Sequence, residues 1–196
     1  MPPTMPLSQW LLLIALSVLW GGSFLFVGVA VAEIPPFTLV LLRVSIAAAL
    51  LAPVVAALGH SMPRGLAGWA PFAVMGLLNN LIPFTLIVAG QQQIASGLAS
   101  VINATTPVFA ILVARGFGGD GRLEANKLAG VLLGIAGVAI LVGPEAMFGR
   151  PSAAVGMLLC LGAAISYGFS GLWGRRFREV PPLVTACAQL ICSSVL

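Results

Sequence analysis

Charge is what this sequence has least of. Only 7% of its 196 residues are charged, nine Lys or Arg and five Asp or Glu, while 60% are hydrophobic. A soluble domain carries about 25% charged residues. So few charges cannot cover a water-facing surface, which excludes a soluble globular domain. The mean hydropathy of +1.10 marks an integral membrane protein instead.

Other scarcities narrow the reading. The first nine residues contain no Lys or Arg. The apolar run that follows is longer than the roughly 7–15 residues of a secretory h-region, which argues against a cleaved signal despite Ala30-Val31-Ala32. None of the five carboxylates lies deep in an apolar run, and the sole histidine, His60, falls in a loop. A proton relay built on a membrane-buried Asp, Glu or His therefore has no residue to use. Cys160, Cys187 and Cys192 all lie in apolar runs, where thiols pack rather than bridge or bind metal. No cofactor is expected. The net charge of +4 comes from residues scattered through short loops, with no basic stripe, so nucleic acid is excluded as a partner. Alternating strands are absent, which leaves helices as the only way to satisfy the backbone in lipid.

What is present is a series of apolar runs near the roughly 20 residues a spanning helix needs. They cover Trp10–Val31, Pro36–Leu58, Trp69–Gly90, Ile94–Ala114, Leu128–Gly143 and Ala153–Gly174, with a seventh from Pro181 to Leu196. The loops are short, so consecutive helices should be antiparallel neighbours. With the N-terminus in the cytoplasm, Arg64, Arg115, Arg122, Lys127, Arg175, Arg176 and Arg178 fall inside and only Arg150 falls outside. Positive-inside bias fixes that orientation.

The chain also repeats itself. Trp20-Gly21-Gly22-Ser23-Phe24 in the first run is echoed by Tyr167-Gly168-Phe169-Ser170-Gly171 in the sixth. Pro35-Pro36 corresponds to Pro181-Pro182, and Arg43 falls opposite Gln189, both 146 residues apart. One repeat then holds five helices, an odd number, so the second copy enters the membrane inverted, a common transporter plan.

Several stretches carry a family resemblance. They are LWGGSF in the first run, PPFTLVLLR opening the second, NNLIPFTLIVAGQQQIASGLASVINATTPVFAILVA through the third and fourth, and KLAGVLLGIAGVAILV in the fifth. The chain resembles an EamA-type permease of the drug/metabolite transporter superfamily. The resemblance departs at Asp120-Gly121-Arg122, where glycine replaces the expected glutamate. It implies an all-α multi-helix membrane bundle in a bacterial inner membrane, with a first EamA-like repeat over residues 8–148. Residues 151–196 would begin an inverted second repeat. Such permeases resemble ten-helix proteins, so a chain stopping within helix seven is expected to be a shortened copy that cannot transport alone. Homodimer pairing could rebuild ten helices only by opposite insertion, which the charge bias opposes. A non-transporting remnant or partner subunit is the alternative. A small-multidrug-resistance-type antiporter is disfavoured, because it resembles a four-helix design with a buried glutamate.

The polar residues supply the candidate site. Ser96, Ser100, Asn103 and Pro107 share one helix face, which reads either as a cavity wall or as interhelical hydrogen bonding. Asn79 and Asn80 precede Pro83, which frees a backbone carbonyl and invites a kink that neighbours or water must satisfy. Gln91-Gln92-Gln93 reads as a hydrated outer loop. Gly130, Gly134 and Gly137 read as a close-packing face. Trp20 either lines a cavity or fills the gap left by its glycines, and Tyr167 is its counterpart in the repeat. Gly168-Phe169-Ser170-Gly171 matches the GxSG of rhomboid-type proteases. Serine needs a base, and His60 lies outside the runs, so that reading is remote.

Arg43 is the sharpest feature. It sits about 10 Å along a helix from Pro36, and a central arginine costs about 2.5–3.5 kcal/mol on insertion scales. Either it snorkels to the outer headgroups or it faces a watery cavity, held by amides such as Asn79 or Asn103. The resemblance favours the cavity. The expected function is a permease moving a small metabolite, such as an amino-acid-like compound, by alternating access, with substrate contacts from Trp20, Arg43, Asn79, Ser100, Asn103 and Tyr167.

Overall fold

The computed structural model describes residues 6–117, 126, 129–130, 132–133, 136, 140 and 151–196. The expected fifth helix between Leu128 and Gly143, the Asp120-Gly121-Arg122 loop and the Gly134/Gly137 face fall largely or wholly outside those residues.

The described chain is a bundle of helices without a strand. α1 spans Leu7–Ala30 and α2 spans Pro36–Ala57. Pro36 occupies the first helical position, where its missing N–H has no partner to lose. α2 stops at Leu58, followed by Gly59 at φ +72°, the left-handed conformation that ends many helices. The third apolar run is longer than the sequence suggests. It begins at Gly65 and continues as α3 (Gly65–Gly76), a π-helical turn (Leu77–Leu81) and α4 (Ile82–Gln91).

The fourth run is not one helix. α5 (Ser96–Asn103) and α6 (Thr106–Gly116) are separated at Ala104-Thr105. The sixth run is α7 (Pro151–Trp173), continued by a 3-10 turn over Gly174–Phe177. α8 (Pro182–Val195) is the seventh. Among the described residues, five helical spans are long and apolar enough to cross a membrane, and α8 is a shorter apolar helix. The chain is therefore an all-α multi-pass membrane protein.

α7 lies at the centre, packed along α4, α5 and α6, while α8 packs on α2 and α3. Phe24, Ile87, Leu98, Ala99 and Cys160 form the main apolar cluster and join α1, α4, α5 and α7. A second cluster, Val27, Val31, Val40 and Val88, fixes α1 and α2 to α4. Phe72 and Phe177 stack with ring centroids 4.6 Å apart, where the end of α7 meets α3. Backbones approach closely where side chains are smallest. A Cβ on Gly90 would lie 2.7 Å from Cys160 Sγ and 3.0 Å from the Gly156 carbonyl. In lipid, where apolar burial gives no net drive, such close packing is the main source of helix association.

Candidate substrate cavity

Two interruptions of regular helix shape the site. The first is the π turn. Ile82 N–H bonds to Leu77 O, five residues back. In that register Pro83 should serve Leu78 O, but proline has no N–H. Ser166 Oγ on α7 donates to Leu78 O instead, at 2.7 Å. The kink expected from Pro83 is thus a π turn, and its freed carbonyl is satisfied by a neighbouring helix.

The second interruption is at Ala104-Thr105. Pro107 cannot donate to Asn103 O, and Thr106 Oγ1 takes that carbonyl at 2.6 Å. Thr105 Oγ1 also donates to Ile102 O at 2.6 Å, a carbonyl that already accepts from the Thr105 N–H at 3.1 Å. The Thr106 hydroxyl therefore replaces the ladder bond that Pro107 cannot make. Non-helical backbone at membrane depth is tolerated where it is buried or lines a cavity.

Both interruptions border one cavity of about 930 Å³. Trp20, Arg43, Asn79, Ser100, Asn103 and Tyr167 all line it, together with Phe84, Gln91, Thr106, Pro107 and Ser170. Small-molecule sites run to about 300–1,000 Å³, so the space suits a metabolite. Its walls come from α1, α2, the π turn, α4, α5, α6 and α7.

Arg43 is half-buried, with its guanidinium over the Phe84 ring at 4.0 Å from the centroid. Such a contact is worth about 0.5–2 kcal/mol, less than the 2.5–3.5 kcal/mol insertion cost. Among the described residues no carboxylate lies within ion-pair distance of Arg43, and no side chain hydrogen-bonds it. The amides expected to hold it do not. Asn79 is engaged elsewhere, donating to Gln189 Oε1 at 3.3 Å and accepting from Ser170 Oγ at 3.0 Å. Asn80 donates to Ser193 Oγ at 3.1 Å, and Ser193 Oγ donates to Gln189 O at 2.7 Å. This network ties the π turn to α7 and α8. The cavity therefore holds a cation whose hydrogen-bond donors are free among the described residues.

Two further polar atoms at the cavity lack a partner among the described residues: Asn103 Oδ1 and Gln91 Nε2. Asn103 is only 8% exposed and Gln91 only 7%. Leaving such an atom unpaired costs about 1–3 kcal/mol. Gln91 corrects the hydrated-loop reading. It is the last residue of α4 and is buried, while Gln92 and Gln93 are exposed. Three adjacent glutamines hide this in the sequence, because nothing in their identity separates the helix end from the turn.

Ser100 Oγ donates to Gly97 O at 2.8 Å, and Ser96 Oγ donates to Gln91 Oε1 at 3.0 Å. Ser170, the serine of the protease-like tetrapeptide, is within reach of Tyr167 O at 2.9 Å and Asn79 Oδ1 at 3.0 Å. Neither is a general base, so this serine is a strut between helices. Phe84, Ser166 and Ser170 were not foreseen as contributors. The one sequence signal for Ser166 is its place one position before Tyr167 in the repeat.

Against known proteins, residues 8–143 match the family model described as the EamA-like transporter family. The chain belongs to that family. Among EamA relatives, the uncharacterized inner membrane transporter YedA of Escherichia coli K12 is 28% identical over 187 residues, covering 94% of this chain and 58% of that protein. The uncharacterized transporter YvbV of Bacillus subtilis is 30% identical, covering 94% of this chain and 60% of the relative. YoaV of the same organism is 25% identical and is covered to 63%. The chain thus spans less than two thirds of the length of these EamA proteins. A solved crystal structure shares the fold, with TM-score 0.63 at 24% identity, over 91% of this chain and 62% of that one.

Proposed function

We propose that the cavity is the substrate site of a small-metabolite permease working by alternating access, and that Arg43 anchors an anionic group of the substrate. The observation that carries this reading is the Arg43 guanidinium. It rests on an aromatic face, opens to a metabolite-sized cavity, and has no carboxylate neighbour among the described residues. A buried cation is retained only when something offsets its desolvation, and the Phe84 contact supplies part of that at most. A carboxylate entering from outside would supply the rest through a bidentate pair. Trp20 and Tyr167 give the same cavity aromatic walls, and Asn103 on its lining carries an unpaired acceptor, Oδ1, that an ammonium or hydroxyl would satisfy once the wall around it opens. An amino-acid-like compound satisfies all three.

The helix break at Ala104-Thr105 and the π turn at Leu77–Leu81 sit beside the cavity, and discontinuous helices at the repeat interface are how many transporters build such sites. The test is retention of a uniformly 13C-labelled amino-acid mixture by the purified chain in lipid nanodiscs, read by mass spectrometry, which asks for binding and not for transport. The wild-type chain should retain at least one component, and Arg43→Ala should abolish that retention while inserting normally. Equal retention by Arg43→Ala would remove the anchor role, and no retention by wild type would remove this substrate class.

A further inference from the structure

The sequence places Gln91 in a loop, yet its carboxamide is buried on a residue that lines the cavity. One end of that group is fixed. Its Oε1 accepts from Ser96 Oγ at 3.0 Å, on the first residue of α5. Both groups sit beneath α1 at Gly28. A Cβ there would collide with Ser96 Oγ and come within 3.1 Å of Gln91 Oε1. Three helices therefore cooperate to hold one amide: α4 supplies it, α5 hydrogen-bonds it, and α1 leaves the room. The other end of the amide is unsatisfied. Nε2 is buried, lies on a residue only 7% exposed, and has no partner among the described residues. The oxygen end of this amide is set before any ligand arrives, which lowers the cost of a ligand contact, and a ligand oxygen reaches the idle donor once the wall around Nε2 opens.

We propose that Gln91 is a specificity-determining residue of the cavity, donating from Nε2 to a second oxygen of the substrate, a carbonyl or hydroxyl, while Arg43 takes its anionic group. This rests on the reading of the cavity as a substrate site. Ser96 and Gly28 then act as positioning residues. A neutral donor adds little raw affinity, but a ligand that cannot accept from it leaves the buried N–H unpaired, and that penalty discriminates between ligands.

Thermal stabilisation of the purified full chain in lipid nanodiscs tests this with two probe acids of the same skeleton, propionate and pyruvate. They share the carboxylate and differ by the keto oxygen. Wild type should bind pyruvate more tightly than propionate by about two- to tenfold, the equivalent of one neutral hydrogen bond. Gln91→Leu should erase that preference, bringing the ratio of pyruvate to propionate affinity to about one. Gln91→Met keeps the length of the side chain and removes the donor without adding a charge, so it should also lose the preference, which guards against a folding defect in the leucine variant. Gly28→Ala, which displaces the Ser96–Gln91 pair, should reduce the preference without touching Arg43. Arg43→Ala should weaken both acids together, and its failure to do so would overturn the anchor role alone. A pyruvate preference that survives in both Gln91 variants, or is absent from wild type, would overturn the role of Gln91. Absence of stabilisation by either acid in wild type would overturn both.

Discussion

A methyl group added at Gly76 would stand 2.7 Å from the Gln189 carbonyl and 2.7 Å from Ser193 Oγ. Backbone cannot yield as a side chain can, so Gly76→Ala must push α8 away from α3. Overpacking of this kind costs about 1–3 kcal/mol. At Gly171 a new methyl meets nothing within 4 Å, and alanine is the better helix former by about 1 kcal/mol. Unfolding titrations in mixed micelles should therefore show Gly76→Ala destabilised and Gly171→Ala neutral or stabilised. Equal behaviour of the two would deny the close crossing. At this scale much of the cavity was legible. Arg43, Asn79, Ser100 and Asn103 stand out because a polar group in an apolar run needs a reason to be there, and Trp20 and Tyr167 stand out through the repeat. All six line one cavity. Gln91 was not legible because burial depends on which residue the helix ends on, and Gln92 and Gln93 offer the same chemistry one and two positions later.

At the scale of elements, hydrophobic runs marked where the helices lie but not where they break. Apolar length says nothing about a π register, which is a choice between hydrogen-bond partners one residue apart. Ser166 made that choice tolerable by taking Leu78 O, and it lies 88 residues away in the chain. The α5–α6 break was hidden for a related reason. Nothing in the identity of Thr106 marks it, yet its hydroxyl serves the Asn103 carbonyl that Pro107 leaves without an N–H. This yields a prediction. Thr106→Val should cost about 1 kcal/mol by orphaning Asn103 O, the lower end for a carbonyl beside a cavity. Pro107→Ala restores an N–H that can serve the same carbonyl. The double variant should therefore recover most of the Thr106→Val loss, giving a coupling of about 1 kcal/mol in a double-mutant cycle. Strict additivity would show that the threonine hydroxyl does not stand in for the missing amide.

On the scale of the whole molecule, the bundle has two chemically different ends. Met62, two residues before Arg64, packs on the same cluster as Val180, two residues after Arg178. Phe117, two residues after Arg115, meets Phe169 of α7 edge-on with centroids 6.1 Å apart. The described loop arginines thus gather at one end. At the other, a Cβ on Gly156 would stand 2.9 Å from Gln93 Cβ, beside uncharged glutamines. Positive-inside bias puts the arginine end in the cytoplasm. Arg43 is the exception, a cation held between the ends and facing the cavity, and the functional account turns on it. Thiol reactivity measures its effect directly, with Ser100→Cys placed in a background where Cys160, Cys187 and Cys192 are replaced by alanine. Anionic and cationic methanethiosulfonates of similar size then compete for one cavity residue. The anionic reagent should react faster by about tenfold, as a focused positive field would produce, and Arg43→Gln should remove the difference. Equal rates for the two reagents, or a preference that persists in Arg43→Gln, would contradict an anion-attracting cavity built around Arg43.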